Sequence, residues 1–156
     1  MRKLFKIVFI VVLLAFLILQ FFRTEKNISN DYSNHIFEKE QVPENIKLLL
    51  KGACLDCHSN QTSYLWYHKV SPVSFMVNKH VEDGKGELNL SDWGEMDIFD
   101  KIETLEEICQ EVERNKMPLK SYVMMHRDAK LSEEQVAELC AWTEKLGMEL
   151  LAKVKD

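Results

Sequence analysis

The sequence has no second closely spaced pair of cysteines, no alternating apolar pattern of strand length, and no excess of positive charge. Each absence closes off a class of protein. Without period-two alternation no sheet is expected, so the β/α frame of a thiol–disulfide oxidoreductase is missing. Without a second pair, a structural zinc site lacks its usual four ligands. Residues 1–22 hold Arg2, Lys3 and Lys6 and no acid, which leaves the rest of the chain at −8, three below the −5 of the whole. That balance disfavours nucleic acid or an anionic lipid surface as the main partner. It suits a solvated acidic domain, or one that meets a basic patch on another protein.

What is present begins with an apolar run. "MRKLFKIVFIVVLLAFLILQFFR" places three basic residues before a stretch from Ile7 to Phe22 interrupted only by Gln20. Counted from Leu4, it approaches the roughly 20 residues a helix needs to cross a bilayer. Phe21, Phe22 and Arg23 follow it, with no small-x-small cleavage site and no lipid-acceptor cysteine nearby. The run therefore reads as an uncleaved single-pass anchor over residues 1–23. Basic residues ahead of it put the N-terminus in the cytoplasm, and the remainder on the periplasmic side of the inner membrane.

Residues 24–41 are polar with no sustained period and read as a flexible tether. A domain over residues 42–156 follows. In "PENIKLLLKGAC", Pro43 suits a first helical turn, and Ile46, Leu49, Leu50 and Ala53 form one stripe. Ser71-Pro72 reads as an N-cap and first helical position, opening a helix that Gly84 would close. Ile98, Ile102, Leu105, Cys109 and Val112 repeat at helical spacing, and Met117-Pro118 is expected to end that helix. Ser132 and Gln135 form a capping box for the last helix, with Leu131 and Val136 placed as a hydrophobic staple. The fold class is all-α, with about four helices and long loops. Loops of that length are uncommon in a small domain unless functional, and a large prosthetic group would supply core that the chain does not.

The chemistry is concentrated at "GACLDCHSN". Cys54-x-x-Cys57-His58 is the attachment signature of c-type haem. Two thiols about one turn apart can form thioethers to the two porphyrin vinyl groups, and the next residue then falls beneath the iron. His58 would be the proximal ligand through one ring nitrogen while the other donates to a backbone carbonyl. Covalent haem attachment is an extracytoplasmic event in bacteria, in keeping with export. For the sixth ligand, Met117 is preferred and His126 is the alternative, with Met124, Met125, His68 and His80 also in range. Tyr64, Trp66, Tyr67, Trp93 and Trp142 need no cofactor to explain them and read as packing. Cys109 and Cys140 could pair on an oxidised side, but both sit on apolar helical stripes, and buried free thiols are the preferred reading.

"DCHSNQT", "SPVS", "LNLSDW" and the "MP…SY…H" run into "A-x-LS", taken together with the N-terminal anchor, resemble the haem-binding domain family of membrane-anchored, mono-haem c-type proteins. Similarity to the wider group of small class I cytochromes c implies that Met117 is the distal ligand and that the Pro72 carbonyl accepts from His58. It implies one covalent haem c and redox partner proteins in the membrane or periplasm. The expected function is one-electron carriage rather than enzymatic turnover, because no distal Arg–His arrangement of the kind peroxide chemistry needs can be recognised. The alternatives are a sensor or catalytic haem with a displaceable sixth ligand, and a haem-binding assembly subunit that carries no electrons.

Overall fold

The computed structural model describes residues 1–154. They form seven α-helices and, among the described residues, no strand: α1 (Arg2–Leu19), α2 (Ile36–Lys39), α3 (Glu44–Ala53), α4 (Val73–Glu87), α5 (Ile98–Glu113), α6 (Lys120–Met125) and α7 (Glu133–Val154). Short 3-10 turns lie at Trp66–Lys69, Trp93–Glu95 and Arg127–Ala129. The all-α expectation holds. α3, α4, α5 and α7 are the four longer helices of the domain, and the expected loop after Met117 is partly structured as α6.

The principal packing is α5 against α7. Leu105 and Val112 of α5 meet Leu139, Trp142, Leu146 and Leu150 of α7 in a core that also takes Ile46 and Leu50 from α3. Asp97 caps α5 by accepting from the Phe99 N–H at 2.8 Å. α5 ends before the proline expected to stop it. Asn115 takes a left-handed conformation at φ 56°, its N–H donates to Val112 O, and Lys116 N–H donates to Glu111 O. These are the two bonds of a Schellman close, and Asn tolerates the left-handed position better than most residues. The capping box before α7 forms as expected: Gln135 N–H donates to Ser132 Oγ at 3.2 Å, and Ser132 N–H donates to Gln135 Oε1 at 2.9 Å.

Cys109 and Cys140 are joined in a disulfide that bolts α5 to α7. This corrects the expectation of free thiols. Apolar stripes on two helices that pack together bring their cysteines face to face, a relation one helix viewed alone does not contain.

The stretch 24–41 departs from a free tether. Ile36 is fully buried in the core, and its N–H donates to Leu90 O at 2.9 Å. Glu40 accepts from the Trp93 indole at 3.0 Å. Burial of Ile36, with Phe37 packed beside it, and these hydrogen bonds hold a segment of polar composition on the domain.

α1 forms where the apolar run predicted a helix, and none of its residues is buried. Its 18 residues rise about 27 Å, and Arg2, Lys3 and Lys6 take three of its first five positions. No helix among the described residues is long and apolar enough to cross a membrane. As a spanning segment the helix falls short of the roughly 20 apolar residues the run suggested, because the basic residues lie inside it.

Candidate haem site

α3 runs directly into the cysteine motif. Cys54 caps it, and the chain then makes one tight turn in which the N–H groups of Cys57 and His58 both donate to Cys54 O, at 3.1 and 2.9 Å. That turn brings Cys54, Cys57 and His58 to one side of the domain. Cys54 and Cys57 are not bonded to each other. Burial pushes the Cys54 thiol up to about 12, with Cys57 adding to it, and the Cys57 thiol up to about 11, with Asp56 adding to it. A redox dithiol needs the opposite shift, a thiol made acidic by its surroundings.

His58 is held through one ring nitrogen. Its Nδ1 lies 3.1 Å from Leu88 O, so as donor it leaves Nε2 as the basic nitrogen. Burial pulls the His58 pKa down against its backbone partners, which favours the neutral ring that a metal requires. The orienting carbonyl belongs to Leu88, at the end of α4, and not to Pro72 as the resemblance implied. Pro72 precedes the first residue of α4, fifteen residues before its last. Ser71 and Pro72 are likewise displaced from the expected cap and first-turn positions, since the helix begins at Val73.

Gly84, expected to close α4, lies inside it. A Cβ there would meet Cys57 O at 2.8 Å and Cys57 Cβ at 3.0 Å. The glycine is needed because α4 crosses the cysteine turn at backbone contact.

The turn is stitched on its other side by "SNQT" and "LNLSDW". Leu90 N–H donates to His58 O at 2.9 Å, Asn60 N–H to Ser91 Oγ at 2.9 Å, and Asn60 Nδ2 to Asp92 at 2.9 Å. Asn27, in the supposed tether, donates to Ser59 O and Thr62 Oγ1 and accepts from Lys85. Tyr122 of α6 donates to Asp56 at 2.8 Å, and burial together with that carboxylate keeps the phenol protonated.

Two adjoining cavities open around these residues, of about 300 and 430 Å³. Ala53, Cys54, His58, Glu87 and Met117 line both, and Cys57 lines the first. The second is walled by Leu50, Leu88, Leu90, Ile108 and Val112. Met117 is therefore brought together with His58. His126 lines neither cavity: its Nε2 is hydrogen-bonded to the Tyr67 hydroxyl, and its ring stacks on Tyr122 at 4.1 Å. His80 lines the first cavity, whereas His68 is buried and accepts from the Leu65 N–H. Met124 and Met125 line a third cavity, of about 420 Å³, which shares Asp56, Cys57, His80, Leu119 and Tyr122 with the first. Trp93, Trp142 and Tyr67 are packed as expected, but Trp66 is exposed.

Sequence reasoning missed Leu88, Gly84, Asn27, Asp56 and Tyr122. Leu88 acts through its carbonyl, which every residue possesses, so no side-chain signal marks it. Gly84 did carry a signal, a glycine inside an otherwise helical stretch, but it was read as a helix end.

The donor set fits a haem. Two uncharged thiols and a neutral, oriented imidazole face cavities that also receive a thioether, with an apolar wall on one side and Glu87, Glu107, Glu111 and Arg114 at the rim of the larger one. The comparison with known families agrees: the model of the haem-binding domain matches residues 14–145, and the chain belongs to that family. No curated protein and no solved structure matches it.

Proposed function

We propose that this protein is a membrane-anchored, one-electron carrier with a single covalent haem c on the periplasmic side. The observation that carries this reading is the shared lining of both cavities by Cys54, His58 and Met117. Cys54 and Cys57 would hold the group by thioethers, His58 Nε2 would be the proximal ligand, and Met117 the distal one. When bound, the haem supplies a reversible one-electron couple, whose potential a thioether ligand raises.

The chain's own residues do the rest. Leu88 O fixes the His58 ring and its tautomer. The Asp56–Tyr122 bond ties the cysteine turn to α6, which follows Met117, so proximal and distal elements are held in one frame. Leu50, Leu90, Ile108 and Val112 keep water from the buried face of the site. No catalytic residue is assigned. α1, extended by Phe21 and Phe22, would anchor the protein in the inner membrane, with Arg2, Lys3 and Lys6 reaching cytoplasmic headgroups. Redox proteins of the membrane or periplasm would be its partners.

A visible spectrum of the purified holo-protein tests the ligand set. The expected result is a low-spin spectrum with the weak far-red band of sulfur ligation. Met117→Leu should abolish that band, and His126→Ala should leave it. The reverse pattern, or rapid binding of carbon monoxide by the reduced wild type, would overturn the six-coordinate carrier.

A further inference from the structure

The exposed apolar surface is not confined to α1. Of the three tryptophans, Trp93 and Trp142 are buried whereas Trp66 is 72% exposed. Around it lie Leu65 beside the same turn, Phe75 and Met76 near the start of α4, and Met124 and Met125 on α6, all exposed. Trp66, Met76, Met124 and Met125 line one cavity of about 420 Å³. Side chains from three elements thus share one surface instead of standing as scattered singles, which is the signature of an interaction face.

What that face meets is set by the foot of α1. The Gln20 side chain grips the Ser71 backbone twice: its Nε2 donates to Ser71 O at 2.9 Å, and its Oε1 accepts from Ser71 N–H at 3.0 Å. The Ser71 hydroxyl donates to Phe22 O at 3.3 Å. Ser71 lies midway along the chain between Trp66 and Met76. The end of a wholly exposed apolar helix is therefore fastened into the segment that carries the patch, and a lipid phase that takes α1 has its surface at these side chains.

We propose that the face formed by Leu65, Trp66, Phe75, Met76, Met124 and Met125 seats the domain on the bilayer surface. This rests on α1 being the membrane anchor. Indole rings favour the headgroup level, and apolar side chains the adjoining acyl boundary. The attraction is apolar and not ionic, since the net negative charge of the domain repels anionic headgroups, so zwitterionic lipid suffices. The seat also sets the direction of the haem site. The cavity under the patch and the smaller cavity at the cysteine turn share Asp56, Cys57, His80 and Tyr122, so the Cys57 edge of the site would lie close to the membrane plane.

The test uses the full-length holo-protein in phosphatidylcholine vesicles that carry a photoactivatable diazirine near the glycerol end of one acyl chain. After illumination, cross-linked peptides are located by mass spectrometry. Cross-links are expected in α1 and in the peptides holding Trp66, Met76 and Met124, at a yield at least several-fold above those of α7. Met148, 59% exposed on α7, provides an equally accessible apolar reference away from the seat. Cross-links confined to α1 would overturn the seat and leave the anchor standing, with the patch then free for a protein partner. Absence of cross-links anywhere in the chain would overturn the anchor and the seat with it.

Discussion

Gly84 shows how much one missing methyl group can decide. In a helix interior, Gly→Ala ordinarily gains about 1 kcal/mol of helix propensity. At Gly84 the added Cβ would press on backbone atoms of Cys57, which cannot swing aside as a side-chain tip can. Gly84→Ala is therefore expected to destabilise the fold by about 1–3 kcal/mol, the range for overpacking, and to lower the haem-to-protein ratio. Gly86, one turn-fraction further along the same helix, meets nothing within 4 Å, and Gly86→Ala should be neutral or stabilising. Denaturant melts of the two variants check the pair; equal effects would sink the close-contact account. At this scale the motif Cys54-x-x-Cys57-His58 was legible, because attachment chemistry demands those side chains at that spacing. The partner of His58 was not, because a backbone carbonyl leaves no mark in the sequence. Nor did the sequence show that Tyr67 and Tyr122 engage His126 while Met117 lines the same cavities as His58, the arrangement that favours Met117 in the proposed ligand set.

At the scale of elements, the start of α7 read as its cap predicted, the start of α4 came one residue later than expected, and helix ends read less well. The Ser132 cap is a local bond within four residues, so its residue type announced it, while the Asp97 cap, equally local, was not singled out. The close of α5 at Asn115 depends on one residue accepting a left-handed φ, and the nearby Pro118 concealed it. The α5–α7 disulfide closes a sequence separation of 31 residues, for which the loop-entropy relation gives about 3–4 kcal/mol. Cys109→Ser or Cys140→Ser should therefore lower stability by up to about that amount, read as a shift of the denaturation midpoint. The same shift should appear in the wild type under reductant. If reduction leaves the midpoint unmoved, the bond contributes nothing to the pairing of α5 with α7. The apolar stripes that argued for buried free thiols were read correctly as core-facing, and it was their common core that brought the sulfurs together.

For the whole molecule, buried histidines set the acid side of its stability. His35 is buried at the start of α2, where its Nδ1 accepts from the Phe37 N–H, and burial pulls its pKa below 6.5 against the opposing charge of Glu38. His68 is shifted in the same direction, also by burial first. In the unfolded chain these rings return to about 6.5 and take protons first, so below that pH the unfolded state binds more protons than the folded one. Stability should hold above about pH 6.5 and fall as the pH drops from there through the lower folded pKa values. His35→Asn keeps an oxygen acceptor at the helix start while removing the titrating group, so Tm measured from pH 5 to pH 8 should decline less steeply in the variant. An unchanged slope would remove His35 from the account. The N-terminal stretch belongs to the same scale, since Asn27 and Ile36 join the domain only because residues 59–62, 85 and 90 are there to receive them. By itself the sequence determined the helical class, the apolar N-terminal run and the Cys54-x-x-Cys57-His58 motif on which the haem proposal rests, because helical periodicity, hydropathy and ligand chemistry are written in side-chain type and short spacing. Only the tertiary structure decided which carbonyl orients His58, that Cys109 meets Cys140, that the stretch 24–41 packs on the domain, and that Trp66 faces outward beside the foot of α1. Those relations depend on residues far apart in the chain meeting through backbone groups and shared core, and local pattern carries no record of such distances.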